Sequence, residues 1–357
     1  MSKNAIHCCF TAAATAALVT NQGTGPVNTR RIGQFDVSAI SYGCMNLSHA
    51  YGVPPSAEDG ARRLNEALDL GYTMLDTAAL YGFGANEKLI GETIAHRRDE
   101  YVLASKCALH GVDGKRELTN DPAKLRQSCE DSLSRLKTDV IDIYFLHRYD
   151  KVTPLEDSIG LLSDLVAEGK VREIGLSEVS ADTLRQAHAI HPVAAVQSEY
   201  SLWTREPEIA VLDACRELGT AFVAFSPLAR GYLTGRLRDV GALIEKDFRR
   251  NMPRFFPDNY AQNLKLVDQL STLAESAGCT PGQLALAWLL QAGDHIIPIP
   301  GTTNADHLVE NYRAAEVDLD ENTLELAGNI INRHTVSGAR YAAATQAEID
   351  TEQFGDS

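Results

Sequence analysis

The run "VIDIYFLH", residues 140–147, is almost wholly apolar and ends in a histidine. Its apolar residues do not alternate with polar ones, which is typical of a strand that is buried on both faces of a parallel sheet. Seven more runs predict strands before and after it, and most of them are equally continuous. They lie at 35–43, 72–77, 101–106, 171–177, 193–199, 221–226 and 295–301.

Amphipathic stretches between these runs predict helices. The apolar residues at 155, 159, 162 and 166 share one helical face. Just before them, "TPLE" at 153–156 predicts a capping box with Thr153 as N-cap, and "TPGQ" at 280–283 repeats the pattern. Further helix starts are predicted at Ser56 and Asp121, and helix ends at Gly71 and Gly219.

Eight strands that alternate with helices predict the α/β class, as a single-domain (β/α)8 TIM barrel. A doubly wound sheet is the alternative, but it would usually carry a glycine-rich fingerprint after its first strand. Here "YGCMNLSHAYG" follows, which contains no GxGxxG. The barrel is predicted over 28–340, between an N-terminal extension (1–27) that we expect to be disordered and an acidic C-terminal tail (341–357).

Composition excludes several classes of partner. The chain has 357 residues and a formal net charge of −15. This charge argues against binding to nucleic acid, which needs clustered Lys and Arg, and against an anionic membrane surface. No segment approaches the roughly 20 apolar residues that would span a bilayer. We therefore expect neither a nucleic acid nor a membrane as a partner.

The number and spacing of the cysteines indicate the cellular compartment. There are seven, an odd number, and no CxxC pair occurs. This pattern predicts reduced thiols and a cytoplasmic location rather than a disulfide framework or a metal site. The weakly apolar N-terminal residues leave an export signal open as an alternative.

Polar residues stand where three neighbouring predicted strands end. The second strand ends in Asp76, with Tyr81 in the loop that follows, the third ends in Lys106 and the fourth in His147. Catalytic residues of barrel enzymes lie at the carboxyl ends of the strands, so the fold would direct these four side chains to one point.

These four side chains suit the reduction of a carbonyl. The carbonyl oxygen needs a proton when the carbon receives a hydride, and Tyr81 could donate it. A free phenol has a pKa of about 10, and the positive charge of Lys106 would lower this pKa. Asp76 would hold the ammonium group, and His147 would orient the carbonyl oxygen by a hydrogen bond.

At this point the sequence resembles the aldo-keto reductase superfamily, from about residue 28 to about residue 341. The four polar residues match the catalytic tetrad of that family. "GLSEV" and "QSEYSL" are most similar to a bacterial branch that includes the yeast-type pyridoxal reductases and the reductases of ketone mycotoxins. The motifs that carry the resemblance appear in the order of the family: "LDTAALYG", "LASK", "FLHR", "GLSEV", "QSEYS", "FSPLARG" and "IPIPGTTNADHLVEN".

The resemblance implies that NAD(P)H lies extended across the barrel mouth, without a Rossmann fold. Ser177 and Gln197 match the residues that hold the nicotinamide carboxamide, and Phe225 stands at the position that stacks on the ring. Glu178 stands where many members have Asn. The resemblance further implies Ser226, Pro227, Leu228 and Arg230 for the pyrophosphate, Glu310 and Asn311 for the adenine, and Cys44 and Met45 beside the cofactor.

The chain departs from the family pattern at 301–307. Members specific for NADPH usually carry Lys or Arg there to bind the 2′-phosphate, whereas this segment offers Gly301, Thr302, Thr303 and His307. We therefore expect a weak preference for NADPH, with NADH as an alternative cofactor.

The resulting hypothesis is an NAD(P)H-dependent oxidoreductase that reversibly reduces a small aldehyde or ketone. Pyridoxal and keto-trichothecenes are candidate substrates, and Tyr51 and Trp203 are candidates for lining the substrate pocket. One alternative is a Schiff-base aldolase that uses Lys106. Another is a cofactor-binding sensor or channel-associated subunit with little turnover. The oligomeric state has no signature in the sequence.

Overall fold

The structure is a computed structural model, and it describes residues 28–48, 50–112 and 115–355. The extension predicted over 1–27 lies outside the described residues. The strands are β1 (Thr29–Ile32), β2 (Phe35–Ser38), β3 (Tyr42–Gly43), β4 (Met74–Asp76), β5 (Val102–Cys107), β6 (Leu109–Val112), β7 (Lys115–Leu118), β8 (Ile141–Leu146), β9 (Val171–Ser177), β10 (Val193–Glu199), β11 (Ala221–Phe225) and β12 (Ile296–Pro298).

Eight of these strands form one parallel sheet that curls into a barrel. Their order around the wall is β3, β4, β5, β8, β9, β10, β11, β12. The sheet closes where the amides of Ser41 and Gly43 donate to the carbonyls of Pro298 (3.0 Å) and Pro300 (3.3 Å). The wall strands are buried along nearly their whole length, which explains their continuous apolar sequences. The predicted (β/α)8 barrel is confirmed.

A hairpin of β1 and β2 covers the amino-terminal end of the barrel. Its residues Ile32 and Val37 are fully buried and pack against the interior side chains of the wall, such as Met74 and Ile143. The prediction of one strand over 35–43 is therefore wrong. The run divides between β2 and β3, because the hydroxyl of Ser38 donates to the carbonyl of Ile40 (2.8 Å) and bends the chain.

Helices lie outside the wall, and most of the predicted helix ends are confirmed. The side chains of Ser56, Asp121 and Thr280 accept from backbone amides as N-caps, and Thr280 forms the full capping box with Gln283. Gly71 and Gly219 end their helices at positive φ. The helices are α1 (Ala57–Leu70), α2 (Ala85–Ile94), α3 (Pro122–Leu136), α4 (Leu155–Ala167), α5 (Ala181–Ile190), α6 (Val211–Leu218), α7 (Pro257–Ser276), α8 (Pro281–Gln291), α9 (Ala305–Arg313), α10 (Glu321–Ile330) and α11 (Ala343–Gln346). No helix in the described part of the chain is both long and apolar enough to cross a membrane.

The start of α4 differs from the prediction. Thr153 is not its N-cap, because Asp150 accepts from the amides of Val152 (2.9 Å) and Thr153 (2.8 Å) and from the Thr153 hydroxyl (2.9 Å). The turn closed by Asp150 leaves Pro154 at the cap position, with no side-chain cap.

The antiparallel hairpin of β6 and β7 was not predicted. It follows β5 directly at the carboxyl end of the barrel. The Asp-Gly pair at 113–114 is a common hairpin sequence, and it is the signal that could have revealed this element.

Two helical glycines should respond to alanine with opposite signs. A Cβ at Gly91 in α2 would lie 2.3 Å from the carbonyl oxygen of Arg135 and 2.6 Å from the carbonyl carbon of Leu136, whereas a Cβ at Gly160 in α4 would meet no atom within 4 Å. We expect Gly91→Ala to lower the free energy of unfolding by about 1–3 kcal/mol through overpacking. Gly160→Ala should raise it by about 0.5–1 kcal/mol through helix propensity. Urea unfolding measures both, and changes of the same sign would contradict this account.

Candidate active site

The carboxyl ends of the wall strands open into a cavity of about 660 Å³. Asp76, Tyr81 and His147 line it, and Lys106 lies directly beneath them with none of its surface exposed. The barrel therefore brings together the four residues that the sequence placed on three neighbouring strands.

The ammonium group of Lys106 is the centre of this cluster. Its Nζ donates to Asp76 Oδ1 (2.5 Å), to the carbonyl oxygen of Thr77 (2.8 Å) and to the hydroxyl oxygen of Tyr81 (3.2 Å). Three acceptors match the three N–H groups of an ammonium ion, so Lys106 is fully satisfied. Gln197 Nε2 donates to the other oxygen of Asp76 (2.8 Å), which fixes the carboxylate as well.

Burial and neighbouring charges act in opposite directions on these groups. Burial tends to lower the pKa of Lys106, but Asp76 and Tyr81 raise it above its ordinary value. For Tyr81 burial is the largest effect and raises the phenol pKa, while Lys106 opposes it. The charge of Lys106 lowers the pKa of Tyr81, as expected, but this is only one of several contributions. The net shift of the phenol pKa in the structure is upward, because the effect of burial on the largely buried side chain outweighs that of Lys106.

His147 stands across the cavity from the phenol. The rings of Tyr81 and His147 are 6.0 Å apart and nearly perpendicular. Burial, together with the positive charges of Arg148, Lys106 and Arg116, holds the imidazole pKa well below its usual range. The imidazole is therefore neutral at pH 7. It carries one N–H donor, and its buried Nδ1 has no hydrogen-bond partner among the described residues.

Most of the residues that the resemblance assigned to a cofactor surround the same cavity. They extend from the tetrad across the ends of β9, β10 and β11 to the segment after β12. The lining includes Met45, Ser177, Gln197, Phe225, Ser226, Pro227, Leu228, Arg230, Gly301, Thr302, Thr303, His307 and Asn311, together with the predicted substrate residue Tyr51.

Four assigned residues do not line the cavity. Cys44 is fully buried, and Glu178 is 1% exposed and ion-paired to Arg340. Glu310 binds Thr280 and Arg236 instead of facing the cavity. Trp203, predicted to line the substrate pocket, is a core residue: it is 2% exposed and its ring stacks on Tyr232, 4.4 Å between centroids.

The segment after β11 has an unusual backbone. Ser226, Ala229 and Arg230 have positive φ angles of 48°, 50° and 59°, and Gly231 follows at 93°. The amides of Ala229 and Gly231 donate to the carbonyls of Ser226 (2.8 Å) and Leu228 (3.0 Å), so this segment forms two overlapping tight turns that are closed by their own hydrogen bonds.

A buried ion network lies beside the cavity, and the sequence did not predict it. Arg340 donates to both oxygens of Glu178 (2.8 and 2.9 Å) and to Glu199 Oε2 (3.1 Å). The same oxygen of Glu199 accepts from Arg230 (2.7 Å), and Tyr341 donates to it (3.3 Å). The sequence predicts that Glu178 and Glu199 lie at strand ends. No local pattern identifies Arg340, which lies far along the chain, as their partner.

The network controls the ionisation of Glu199. Burial alone would raise the pKa of this carboxyl, but Arg230, Arg340 and Arg254 together lower it to about 2. Glu199 is therefore charged throughout the physiological range.

The tail after Arg340 continues along the barrel mouth. Asp350 accepts from the Thr183 hydroxyl (2.6 Å), and Glu352 accepts from the Ala181 amide (2.7 Å), both in the first turn of α5. A helix start attracts carboxylates, because its amides carry partial positive charge. Tyr341 and Thr345 line the cavity, so the described part of the tail contributes to its wall.

A model of the Aldo/keto reductase family matches residues 39–330 of the chain. The chain belongs to this family. The resemblance seen in the sequence is thereby confirmed.

Individual relatives agree with this assignment. The chain is 43% identical over 330 residues to the aldo-keto reductase yakc, NADP(+), of Schizosaccharomyces pombe, which covers 90% of this chain and 97% of that relative. It is 40% identical over 310 residues to the probable aldo-keto reductase 1 of Glycine max, covering 86% of this chain and 89% of that one.

Solved structures show the same architecture. The glycerol dehydrogenase AKR11B4 from Gluconobacter oxydans matches with a TM-score of 0.79 at 27% identity, over 85% of this chain and 95% of that one. The aldo-keto reductase from Klebsiella pneumoniae in complex with NADPH matches with a TM-score of 0.67 at 27% identity, over 87% of this chain and 99% of that one.

Removing Arg340 tests the buried network. We expect Arg340→Met to lower the free energy of unfolding at pH 7 by about 3–5 kcal/mol, because it leaves Glu178 without its ion-pair partner and Glu199 with fewer. The pKa of Glu199 lies below its ordinary 4.5, so this charge stabilises the fold above that pH and the effect is lost as the pH falls toward 2. The deficit of the variant should therefore shrink on acidification.

Urea unfolding at pH 7 and at about pH 3 measures this deficit, since pH 3 lies within the range over which the contribution of Glu199 is lost. Arg216→Met is the matched control, because its ion pair with Asp213 is exposed and should contribute only about 0–1 kcal/mol. Equal and small losses in the two variants would show that the network does not stabilise the fold.

Proposed function

We propose that this protein is an NADPH-dependent aldo-keto reductase that reversibly reduces an aldehyde or ketone to an alcohol, with Tyr81 as the proton donor. The observation that carries the proposal is the buried Lys106–Asp76 pair, which holds an ammonium group 3.2 Å from the Tyr81 hydroxyl at the cavity. The relatives named for NADP(+) and solved with NADPH support the choice of cofactor.

Bound NADPH supplies a hydride to the carbonyl carbon. Tyr81 gives its proton to the carbonyl oxygen, and its raised pKa means that the phenol carries this proton before the reaction. Lys106 then stabilises the phenolate that remains, and Asp76 keeps the ammonium group charged and in place. The neutral His147 donates a hydrogen bond that orients the carbonyl oxygen.

The lining of the cavity fits the dinucleotide. Gln197 has committed only its amide nitrogen, so its oxygen can accept from the nicotinamide carboxamide, and the Ser177 hydroxyl can donate to it. Phe225 offers an aromatic face to the ring. Glu178 does not take the place of the Asn of other members, because it is 1% exposed, is paired with Arg340 and does not line the cavity.

The phosphate side of the cavity has two suitable features. The segment 226–230 contributes to the cavity lining the residues that the resemblance assigns to the pyrophosphate. Arg236 lines the cavity near His307, whose imidazole pKa is lowered by burial and by this guanidinium. We therefore assign the 2′-phosphate contact to Arg236. The segment 301–307 lacks a Lys or Arg, but the cation comes from the loop after β11.

We also propose candidate substrates and a cellular compartment. Tyr51 lines the cavity and is the remaining predicted substrate contact. Pyridoxal and keto-trichothecenes are the first compounds to assay, because of the branch that the sequence resembles. The cysteines in the described part of the chain are free thiols, which supports a reducing, cytoplasmic compartment.

The role of Tyr81 is tested by Tyr81→Phe. This change removes the proton donor and keeps the ring, so kcat should fall by about 10²–10⁴-fold while the dissociation constant of NADPH stays near that of the wild type. Steady-state oxidation of NADPH measures kcat, and a fluorescence titration with NADPH in the absence of a carbonyl substrate measures the dissociation constant.

Tyr101→Phe is the control, because this tyrosine lies at the opposite end of the barrel, just before β5. Near-normal turnover of Tyr81→Phe would remove Tyr81 from the mechanism. Borohydride with a ketone substrate should trap no adduct, because Lys106 is held as a charged ammonium ion. A trapped adduct on Lys106 would indicate the aldolase.

The assignment of Arg236 predicts a cofactor-specific defect. Arg236→Gln should raise the KM for NADPH by about tenfold, the value of one charged hydrogen bond, and should leave the KM for NADH nearly unchanged. Arg238→Gln is the control, because Arg238 is exposed and paired with Asp268. An equal effect on both cofactors would show that Arg236 does not contact the 2′-phosphate.

A further inference from the structure

The arginines that line the cavity are not alike in their pairing. Four of the five form an ion pair with a carboxylate of this chain at 2.5–2.8 Å. Among the described residues, Arg148 alone of the five has no carboxylate within ion-pairing distance. The pairs are Arg116 with Glu348, Arg230 with Glu199, Arg236 with Glu310 and Arg249 with Asp247.

Most of the hydrogen-bonding capacity of Arg148 is unused. Its Nη1 donates to the carbonyl oxygen of His147 (2.6 Å) and to the hydroxyl oxygen of Ser177 (3.2 Å). Its Nε and Nη2 donate to no atom in the described part of the chain. The residue is half-buried and lines the cavity, so these N–H groups are accessible to a ligand there. A half-buried guanidinium without a counter-ion favours an anionic ligand.

The position of Arg148 separates it from the proposed phosphate sites. It follows β8, which is three strands away from β11 around the wall. The segment proposed for the pyrophosphate and Arg236, proposed for the 2′-phosphate, both follow β11. Arg148 instead lies beside the tetrad: its charge acts on both Tyr81 and His147. An anion bound here would belong to the molecule whose carbonyl group is reduced.

We propose that Arg148 binds a carboxylate of the substrate, so that the enzyme prefers oxo acids, in which a carboxylate accompanies the carbonyl group, to neutral carbonyl compounds of the same size. A guanidinium matches a carboxylate through two parallel N–H donors, which also fixes the orientation of the bound molecule. This inference rests on the proposed function, since it concerns the substrate of the same site.

Two aromatic aldehydes of the same shape but different charge test this preference. In 4-carboxybenzaldehyde and 4-formylbenzamide the ring and the planar substituent have the same shape, and only the acid is anionic at pH 7. The two substituents also alter the reactivity of the aldehyde. The informative quantity is therefore the ratio of kcat/KM for the acid to kcat/KM for the amide. When this ratio is compared between the wild type and a variant, the intrinsic reactivities of the two aldehydes cancel.

We expect Arg148→Gln to lower this ratio by about 10- to 100-fold, mainly through the KM of the acid. Arg148→Lys should retain part of the preference, because it keeps the charge but loses the bidentate geometry. Added salt should weaken the reaction of the acid more than that of the amide in the wild type. Arg249→Gln is the matched control: Arg249 also lines the cavity, is paired with Asp247 and has no proposed contact with the cofactor, so the ratio should stay unchanged.

Binding without turnover gives a second measurement. Calorimetry of benzoate and of benzamide with the enzyme–NADP(+) complex should show tighter binding of benzoate in the wild type and not in Arg148→Gln. An unchanged ratio in Arg148→Gln, or an equal loss for both aldehydes, would overturn the inference. The equal loss would mean that Arg148 serves only to position Ser177. If neither aldehyde causes oxidation of NADPH, the proposed function fails instead.

Discussion

The contact between Lys106 and Asp76 is the constraint on which the rest of the site depends. An ammonium group without exposed surface is costly unless its charge and its three N–H donors are all satisfied. Asp76, the carbonyl of Thr77 and the Tyr81 hydroxyl satisfy them at 2.5–3.2 Å. Since Gln197 bonds to the second oxygen of Asp76, this one pair connects β4, β5 and β10. The proposed proton donor, Tyr81, and the proposed cofactor contact, Gln197, are therefore positioned through the same carboxylate.

The tetrad could be predicted from sequence because the barrel converts a linear pattern into a spatial one. Residues at the ends of adjacent parallel strands must face one mouth, so Asp76, Lys106 and His147 converge whatever the loops do. The apolar wall strands and the caps at Ser56, Asp121 and Thr280 followed from equally local physics, namely burial on both faces and unsatisfied amides at helix starts.

The parts that escaped prediction depend on contacts between distant segments. Arg340 meets Glu178 although 162 positions separate them, and Arg236 reaches the region of His307 from another loop. Trp203 was placed at the mouth because its loop follows a strand, but its ring packs in the core against Tyr232. The direction of the Tyr81 pKa shift also needed the structure, because it depends on how completely the hydroxyl is enclosed.

Arg340 also has a consequence for the order in which the protein is made. A ribosome delivers the chain from its amino end, so every wall strand and all four tetrad residues emerge before the residue that neutralises Glu178. Until Arg340 has emerged, Glu178 has no ion-pair partner among the described residues, whereas Glu199 already has Arg230. A chain shortened to end before Arg340 would keep Asp76, Tyr81, Lys106 and His147 but would lack the guanidinium that joins Glu178 and Glu199 at the ends of β9 and β10.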